Sequence, residues 1–310
     1  MGNGERELIG DIRKRTSGMR VGPLRIGIGD DCAVLGLPSG HEMLVTTDLF
    51  IEGIHFRREW QSPQAAGGIC ITRGLSDIAA MGGAPVAAFL SLAVPKGTPR
   101  RWISGFFNGV VASCGKYGMP LAGGDTSASP DQIIADIVLV GSAPRKMAVL
   151  RSGAQSGDLL YVTNSLGRAH SELQRLLAGA ADQRRYLPQP QLQAGQRLRR
   201  LASAMIDTSD GLSVDLAHLC NASKVSAVVD IERLPIAPSA TLEDALHGGE
   251  DYQLLFTAPP RSRVPGHIGA TAIRLIGEIV SRKQAPVLIM KYGKLSPLPP
   301  LGWEHRDLTR

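Results

Sequence analysis

Aromatic residues are scarce: Phe, Trp and Tyr make up 5% of the 310 residues. No basic run interleaves with them, so neither a stacking platform for single-stranded nucleic acid nor a groove-reading helix stands out. Cysteine is rarer still, with Cys32, Cys70, Cys114 and Cys220 forming no C-x-x-C pair. Their number and spacing exclude a disulfide scaffold and a recognisable zinc pattern, and point to reduced thiols in a cytoplasmic protein. Long apolar runs are missing as well. The segment from Pro85 to Pro95 is about half a membrane span, and Met1 to Arg20 lacks the apolar core of a secretory signal. Neither sign of charge dominates: 34 Lys and Arg stand against 28 Asp and Glu, a balance that suits an anionic small molecule better than nucleic acid. The common nucleotide motifs are also absent. There is no G-x-x-x-x-G-K-[ST] loop, and Gly27-Ile28-Gly29 lacks the third glycine of a dinucleotide fingerprint. His305-Arg306-Asp307-Leu308 mimics a kinase catalytic loop, but too little chain follows for its metal-binding partners.

What the chain has in excess is glycine, 36 residues, without a G-X-Y period. Its length and apolar content predict two globular domains. The first half alternates strand-like segments (Glu42 to Thr47, Val86 to Val94, Leu121, Ile133 to Val140) with helices. One helix opens at Ser62-Pro63 and ends at Gly82-Gly83. The next opens at Thr98-Pro99 with a stripe of Trp102, Phe106, Val110 and Val111. After about Pro144 the pattern restarts, with a strand at Leu159 to Thr163, helices near Ser165 to Leu177 and Gln191 to Ser203, and an apolar lead into Asp207. The expectation is an α/β (α+β) chain of two lobes, residues 1–145 and 146–310.

The aspartates sit at apolar-to-glycine junctions, where the chain is expected to turn out of a strand. Five such places are Asp30-Asp31, Asp48, Asp125, Asp207-Thr208-Ser209-Asp210 and Glu250-Asp251; a sixth acid, Asp77, interrupts the apolar run Leu75 to Met81. Loops after strand ends are where open α/β folds place ligands, so these acids are expected to converge on one cleft. Buried unpaired carboxylates cost several kcal/mol each, so a cation must join them. Oxygen ligands beside Thr and Ser hydroxyls point to magnesium or manganese, and magnesium in such a cleft points to nucleotide phosphates. Plainer readings stand beside this one: Asp30-Asp31 as a turn, Asp207 to Asp210 as a helix cap, Asp77 paired with Arg73 at i,i+4, His55 as a packed loop histidine, Arg151 as a surface arginine.

Taken together, Gly29-Asp30-Asp31-Cys32-Ala33-Val34, Thr46-Thr47-Asp48, Gly123-Gly124-Asp125-Thr126, Asp207-Thr208-Ser209-Asp210-Gly211 and Gly248-Gly249-Glu250-Asp251-Tyr252 resemble the thiamine-monophosphate kinases, a family of the aminoimidazole ribonucleotide synthase superfamily. The resemblance runs in order over nearly the whole chain. It implies an N-terminal lobe that forms a dimeric β-barrel and binds ATP and magnesium, and a C-terminal lobe with a mixed sheet and helices. It implies the conversion of ATP and thiamine monophosphate to ADP and thiamine diphosphate, in a homodimer with several magnesium ions. Residue by residue it implies magnesium ligation by Asp30, Thr46, Thr47, Asp48, Asp77, Asp125, Asp207 and Asp210, with Asp48, Asp125 and Asp210 the catalytic acids. ATP contacts would come from Gly124, Asp125, Arg151 and Ser209, and thiamine phosphate contacts from His55, Glu250 and Trp303. One departure is Ala128, where some relatives carry arginine.

Rivals remain within the superfamily and outside it. Selenophosphate synthetases need a reactive Cys near the N-terminus and the hydrogenase-maturation relative a C-terminal Cys; here no Cys precedes Cys32 or follows Cys220. Aminoimidazole ribonucleotide synthase itself stays open, though His247 to Glu250 and Gly302-Trp303 favour the thiamine enzyme. A non-catalytic magnesium-nucleotide binder is the alternative of another class. Phosphoryl transfer itself is expected to be direct and in line, because a phosphate acceptor is already anionic.

Overall fold

The computed structural model describes residues 24–26, 31, 33–36, 40–180 and 186–304. Asp30, Cys32 and His305 to Leu308 lie outside the described residues. The first sheet has six strands: β1 (Leu24–Ile26), β2 (Ala33–Gly36), β3 (His41–Ile51), β4 (Ala84–Pro95), β5 (Leu121–Ser129) and β6 (Ile134–Pro144). Their order is β1-β2-β3-β6-β4-β5, antiparallel except for β4 with β5. Strand β3 alternates buried and exposed positions, with Leu44, Thr46 and Phe50 turned inward. That alternation covers one sheet face and leaves the other open.

Helix α1 (Pro63–Ala80) and helix α2 (Arg100–Lys116) cover the inner face. The Ser62 hydroxyl caps α1 by accepting from the Ala65 amide, and Pro63 occupies the first turn, as the sequence leads one to expect. The two helices cross with backbone in contact. A Cβ on Gly67 would lie 2.1 Å from the Phe106 carbonyl oxygen, and one on Gly109 2.0 Å from that of Gln64. Of the expected α2 stripe, Trp102, Phe106 and Val110 are buried, but Val111 is 57% exposed. It points about 100° around the helix from Val110, away from α1.

The second sheet runs β14-β13-β9-β12-β7-β10-β8, with the short β11 (His267–Ile268) paired to β12. Its strands are β7 (Leu159–Thr163), β8 (Ala204–Asp207), β9 (Ser226–Asp230), β10 (Leu254–Ala258), β12 (Thr271–Val280), β13 (Val287–Lys291) and β14 (Lys294–Pro297). Helices α3 (Arg168–Leu177), α4 (Leu192–Leu198), α5 (Leu212–Ser223) and α6 (Leu242–His247) accompany it. Helix α4 is shorter than the expected Gln191 to Ser203, because the backbone leaves it through a turn at Arg199-Arg200 and the Ser203 amide pairs with Thr257 in the sheet. Helix α1 lies between the sheets, against β3 and β6 on one side and β8 and α4 on the other. One continuous core, with Phe50, Leu75, Ile78, Phe106, Leu139 and Phe256 fully buried, bridges them.

Among the described residues the first sheet is open within one chain; the barrel that the resemblance implies is one formed by two copies. One expectation is corrected. Two acids expected at strand ends lie inside strands: Asp48 because Leu49-Phe50-Ile51 continue β3, and Asp125 because β5 runs through Gly123-Gly124 beside β4. Gly124 makes that possible, since a Cβ there would sit 1.8 Å from the Leu90 carbonyl oxygen. Among the described residues no helix is long and apolar enough to cross a membrane.

The helix crossing is testable. Gly109→Ala is expected to destabilise the protein by about 1–3 kcal/mol through overpacking. Gly115→Ala, in the same helix with nothing within 4 Å of the added carbon, is expected to be neutral or to stabilise by up to about 1 kcal/mol. Denaturant midpoints of the two variants check the contrast.

Candidate active site

Three acids from distant segments meet beneath the seam between the sheets. Asp31 precedes β2, Asp77 lies near the end of α1, and Asp207 closes β8. Each offers a carboxylate oxygen, and these oxygens lie within 4.8 Å of one another. Each acid is also held in place. Thr46 Oγ1, turned inward from β3, donates to Asp77 Oδ2 at 2.5 Å. Ser76 Oγ donates to Asp207 Oδ2 at 2.6 Å, tying α1 to the second sheet. Arg151 pairs with Asp31 through both Nε, at 3.2 Å, and Nη2.

Burial, and behind it the charges of Asp207, Asp31 and Asp48, pushes the Asp77 carboxyl well above the usual carboxylate range. Burial, and then Asp31, pushes Asp207 up to about 7. Three carboxylates this close compete for positive charge, and protons supply it where nothing else does. An all-oxygen donor set at this spacing fits a hard divalent cation such as magnesium.

A cleft of about 580 Å³ opens over the cluster. Its wall combines Asp48, Asp77, Asp207, Ser209, Asp210 and Glu250 with the apolar and aromatic side chains of Ile54, Phe56, Trp60, Leu173 and Trp303. Each reaches the wall by a local device. A Cβ on Gly302 would lie 2.2 Å from the Asp210 carbonyl oxygen, and the Trp303 amide donates to that oxygen at 2.9 Å. The 301–303 segment therefore lies flat on the Asp210 loop and delivers the half-exposed indole of Trp303 to the cleft. His55 Nδ1 accepts from the Ile51 amide at 3.0 Å, which leaves Nε2 to carry the proton of the neutral ring. Arg57 stacks over Trp60, 4.5 Å from the ring centre.

Of the residues singled out in the sequence, Asp48, His55, Asp77, Asp207, Ser209, Asp210, Glu250 and Trp303 line this one cleft. Thr46 lies beneath it through Asp77, and Arg151 reaches the cluster through Asp31. Others lie elsewhere. Thr47 turns to the open sheet face, where Oγ1 donates to Asp136 Oδ1 at 3.1 Å. Gly124 and Asp125 lie exposed on the edge strand β5. The register Asp48↔Ile137, Ile137↔Leu90, Leu90↔Gly124 puts three strand spacings between Asp48 and Gly124, about 14 Å along the sheet.

The plain reading of Asp77 as the i,i+4 partner of Arg73 does not hold, because Arg73 forks onto Asp48 instead, at 2.8 and 3.0 Å. Asp31, one of the acids expected to converge, stands in the cluster; the resemblance assigned magnesium to Asp30, which lies outside the described residues. Sequence reasoning missed two contributors. Arg73 was weighed only as a partner for Asp77. Asp215, fully buried in the first turn of α5, accepts from the Asp210 and Gly211 amides at 3.1 and 3.0 Å and so shapes the Asp210 loop. The one available signal was its place eight residues after Asp207, on the helix that the loop opens.

Comparison with known proteins agrees with this architecture. Residues 29–143 match the N-terminal domain of AIR synthase related protein, and residues 155–288 its C-terminal domain. The thiamine-monophosphate kinase of Escherichia coli K12 is 35% identical, with 87% of this chain and 88% of that protein covered. That of Pyrococcus abyssi is 34% identical, covering 91% of each. The solved structure of AaThiL complexed with AMPPCP and TMP superposes with a TM-score of 0.85 at 31% identity, over 97% of this chain and 96% of that one.

The acid cluster makes a prediction about stability. Asp207 titrates near 7 in the fold and near 4 when unfolded, so between those values the native state binds more protons. Stability without divalent ions therefore falls as pH rises through that window. Magnesium or manganese is expected to raise the thermal midpoint more at pH 8 than at pH 5. Asp207→Asn is expected to raise the metal-free midpoint at pH 8 and to abolish the metal-induced rise; thermal melts with and without the ion check both.

Proposed function

Since this chain belongs to the thiamine-monophosphate kinases within the AIR synthase related family, we propose that it transfers the γ-phosphoryl group of ATP to thiamine monophosphate, giving ADP and thiamine diphosphate. The observation that carries this reading is the mixed lining of one cleft, in which converging carboxylates share the wall with aromatic and aliphatic side chains. Asp31, Asp77 and Asp207, with Asp48 and Asp210 beside them, would hold magnesium ions, which when bound neutralise phosphate charge and align the donor. Arg73 takes one lone pair from each Asp48 oxygen and leaves the second for a cation. Ser209, next to Asp210, and Arg151, bound to Asp31, would contact the ATP phosphates. In the same cleft Trp303 would offer a ring face to the thiazolium cation, Glu250 would offer it a counter-charge, and His55 would offer Nε2–H as a donor. The acceptor is an anionic phosphate oxygen, so no side chain need remove a proton. Catalysis is then alignment and charge cancellation, with direct in-line attack and no phosphoenzyme.

The roles of Gly124 and Asp125 require a second copy of the chain. Asp125 is three strands from Asp48, too far for one cation. The open face of the first sheet carries Leu49, Val86 and Phe89, each more than a third exposed, beside Val138 and Val140. A two-fold dimer that buries these faces against each other would complete a barrel and bring the partner's β5 edge toward Asp48. A cytoplasmic setting belongs to the same reading, and Cys70, Cys114 and Cys220 are free and buried.

ADP release from magnesium-ATP with thiamine monophosphate, with formylglycinamidine ribonucleotide, or with no acceptor tests the function. Release is expected only with thiamine monophosphate; release with the ribonucleotide favours the synthase reading, and none favours a non-catalytic binder. Asp48→Asn and Asp210→Asn are each expected to lower kcat by about 100-fold or more while ATP affinity changes little. Co-expressing Asp48→Asn with Asp125→Asn is expected to return roughly a quarter of wild-type activity, because half the dimers then hold one intact site. No recovery would place Asp125 outside the shared site.

A further inference from the structure

Arg73 stands on α1 at the seam between the lobes, with its side chain 13% exposed. On one side Nε donates to Asp48 Oδ2 at 3.0 Å and Nη2 to Asp48 Oδ1 at 2.8 Å. On the other, Nη1 donates to the Tyr252 hydroxyl at 2.9 Å and faces Glu250 Oε1 at 3.4 Å. One planar group thus touches both Asp48, assigned above to the magnesium ions, and Glu250, assigned above to the acceptor. The guanidinium is rigid, so the two carboxylates are held at a fixed separation.

The loop bearing Glu250 does not need Arg73 for its backbone shape. Glu250 and Tyr252 are left-handed, at φ 65° and 50°, and their amides donate to the Ser209 and Thr208 carbonyls at 2.8 and 2.9 Å. The carboxylate between them, Asp251, accepts from the Gly167 and Ala169 amides at 2.5 and 2.9 Å. The backbone is pinned by its own bonds, and what Arg73 adds is the direction of the Glu250 and Tyr252 side chains. Resting on the functional reading above, we propose that Arg73 is a positioning residue for the acceptor: its fork sets Glu250 in register with Asp48, so that bound thiamine monophosphate presents its phosphate in line with the donor. A displaced acceptor loses alignment, whereas the nucleotide, held by the acids and Arg151, does not.

The test compares Arg73→Lys, Arg73→Met and Tyr252→Phe with the wild type in three readouts: the thermal midpoint, KM for each substrate with kcat, and calorimetric binding of thiamine monophosphate to the magnesium-loaded protein without nucleotide. Lysine keeps a cation beside Asp48 but cannot fork to Glu250 and Tyr252 as well. It is expected to keep the wild-type midpoint and ATP KM and to weaken acceptor binding by about ten- to hundredfold, with Tyr252→Phe weakening it less. Wild-type acceptor affinity in Arg73→Lys overturns the proposal. So does a proportional loss for ATP and acceptor together with a lowered midpoint, which would mark Arg73 as a structural ion pair. Should Arg73→Met fail to fold, the lysine and phenylalanine variants still decide. If the wild type binds no thiamine monophosphate, it is the functional reading that fails.

Discussion

Carboxylates from far-apart stretches of chain lie closer together than like charges tolerate, and most of the seam between the lobes is arranged around that repulsion. Asp31, Asp77 and Asp207 are held by hydrogen bonds from Arg151, Thr46 and Ser76 respectively. Buried charge of this kind is costly in isolation and useful when a cation completes it. The elevated carboxyl of Asp207 records that cost: the fold keeps a site whose own stability would be improved by neutralising it, which is how binding sites commonly differ from cores.

Close backbone packing brings the acids together. Helix α1 reaches α2 through Gly67 and Gly109, and α4 through Gly195, where an added Cβ would meet the Ala79 carbonyl oxygen at 2.1 Å. These contacts seat α1 between the two sheets, with Ser76 and Asp77 facing β8 and Arg73 facing Asp48 and the 248–252 loop. Glycine abundance, the first anomaly of composition, thus serves approach between elements as much as turning. The apolar part of the cleft wall is assembled differently, from a loop after β3, from α3 and from the 301–303 segment.

Much of this was legible in the sequence, for identifiable reasons. The N-cap at Ser62-Pro63, the strand at Leu159 to Thr163 and the convergence of Asp48, Asp77, Asp207 and Asp210 follow from local chemistry and from the cost of burying acids. The position of Asp125 was not legible. Glycines beside an acid read as a turn, yet Gly123 and Gly124 are there so that β5 can run against β4, which carries Asp125 to an edge far from Asp48. Arg73 was misjudged because i,i+4 spacing finds neighbours along a helix and cannot see a strand packed across it, where Asp48 on β3 takes the guanidinium fork. Asp215 shapes a loop through backbone amides, a role that leaves little trace in residue pattern.

The account stands on a divalent cation shared by acids that sequence alone places up to 176 residues apart, Asp31 to Asp207. Crystals soaked in manganese and measured at the manganese absorption edge locate that ion directly. An anomalous peak within coordination distance of the Asp31, Asp77 and Asp207 carboxylates is the predicted result. Peaks confined to other parts of the surface, with these three side chains bound only to one another, would contradict it.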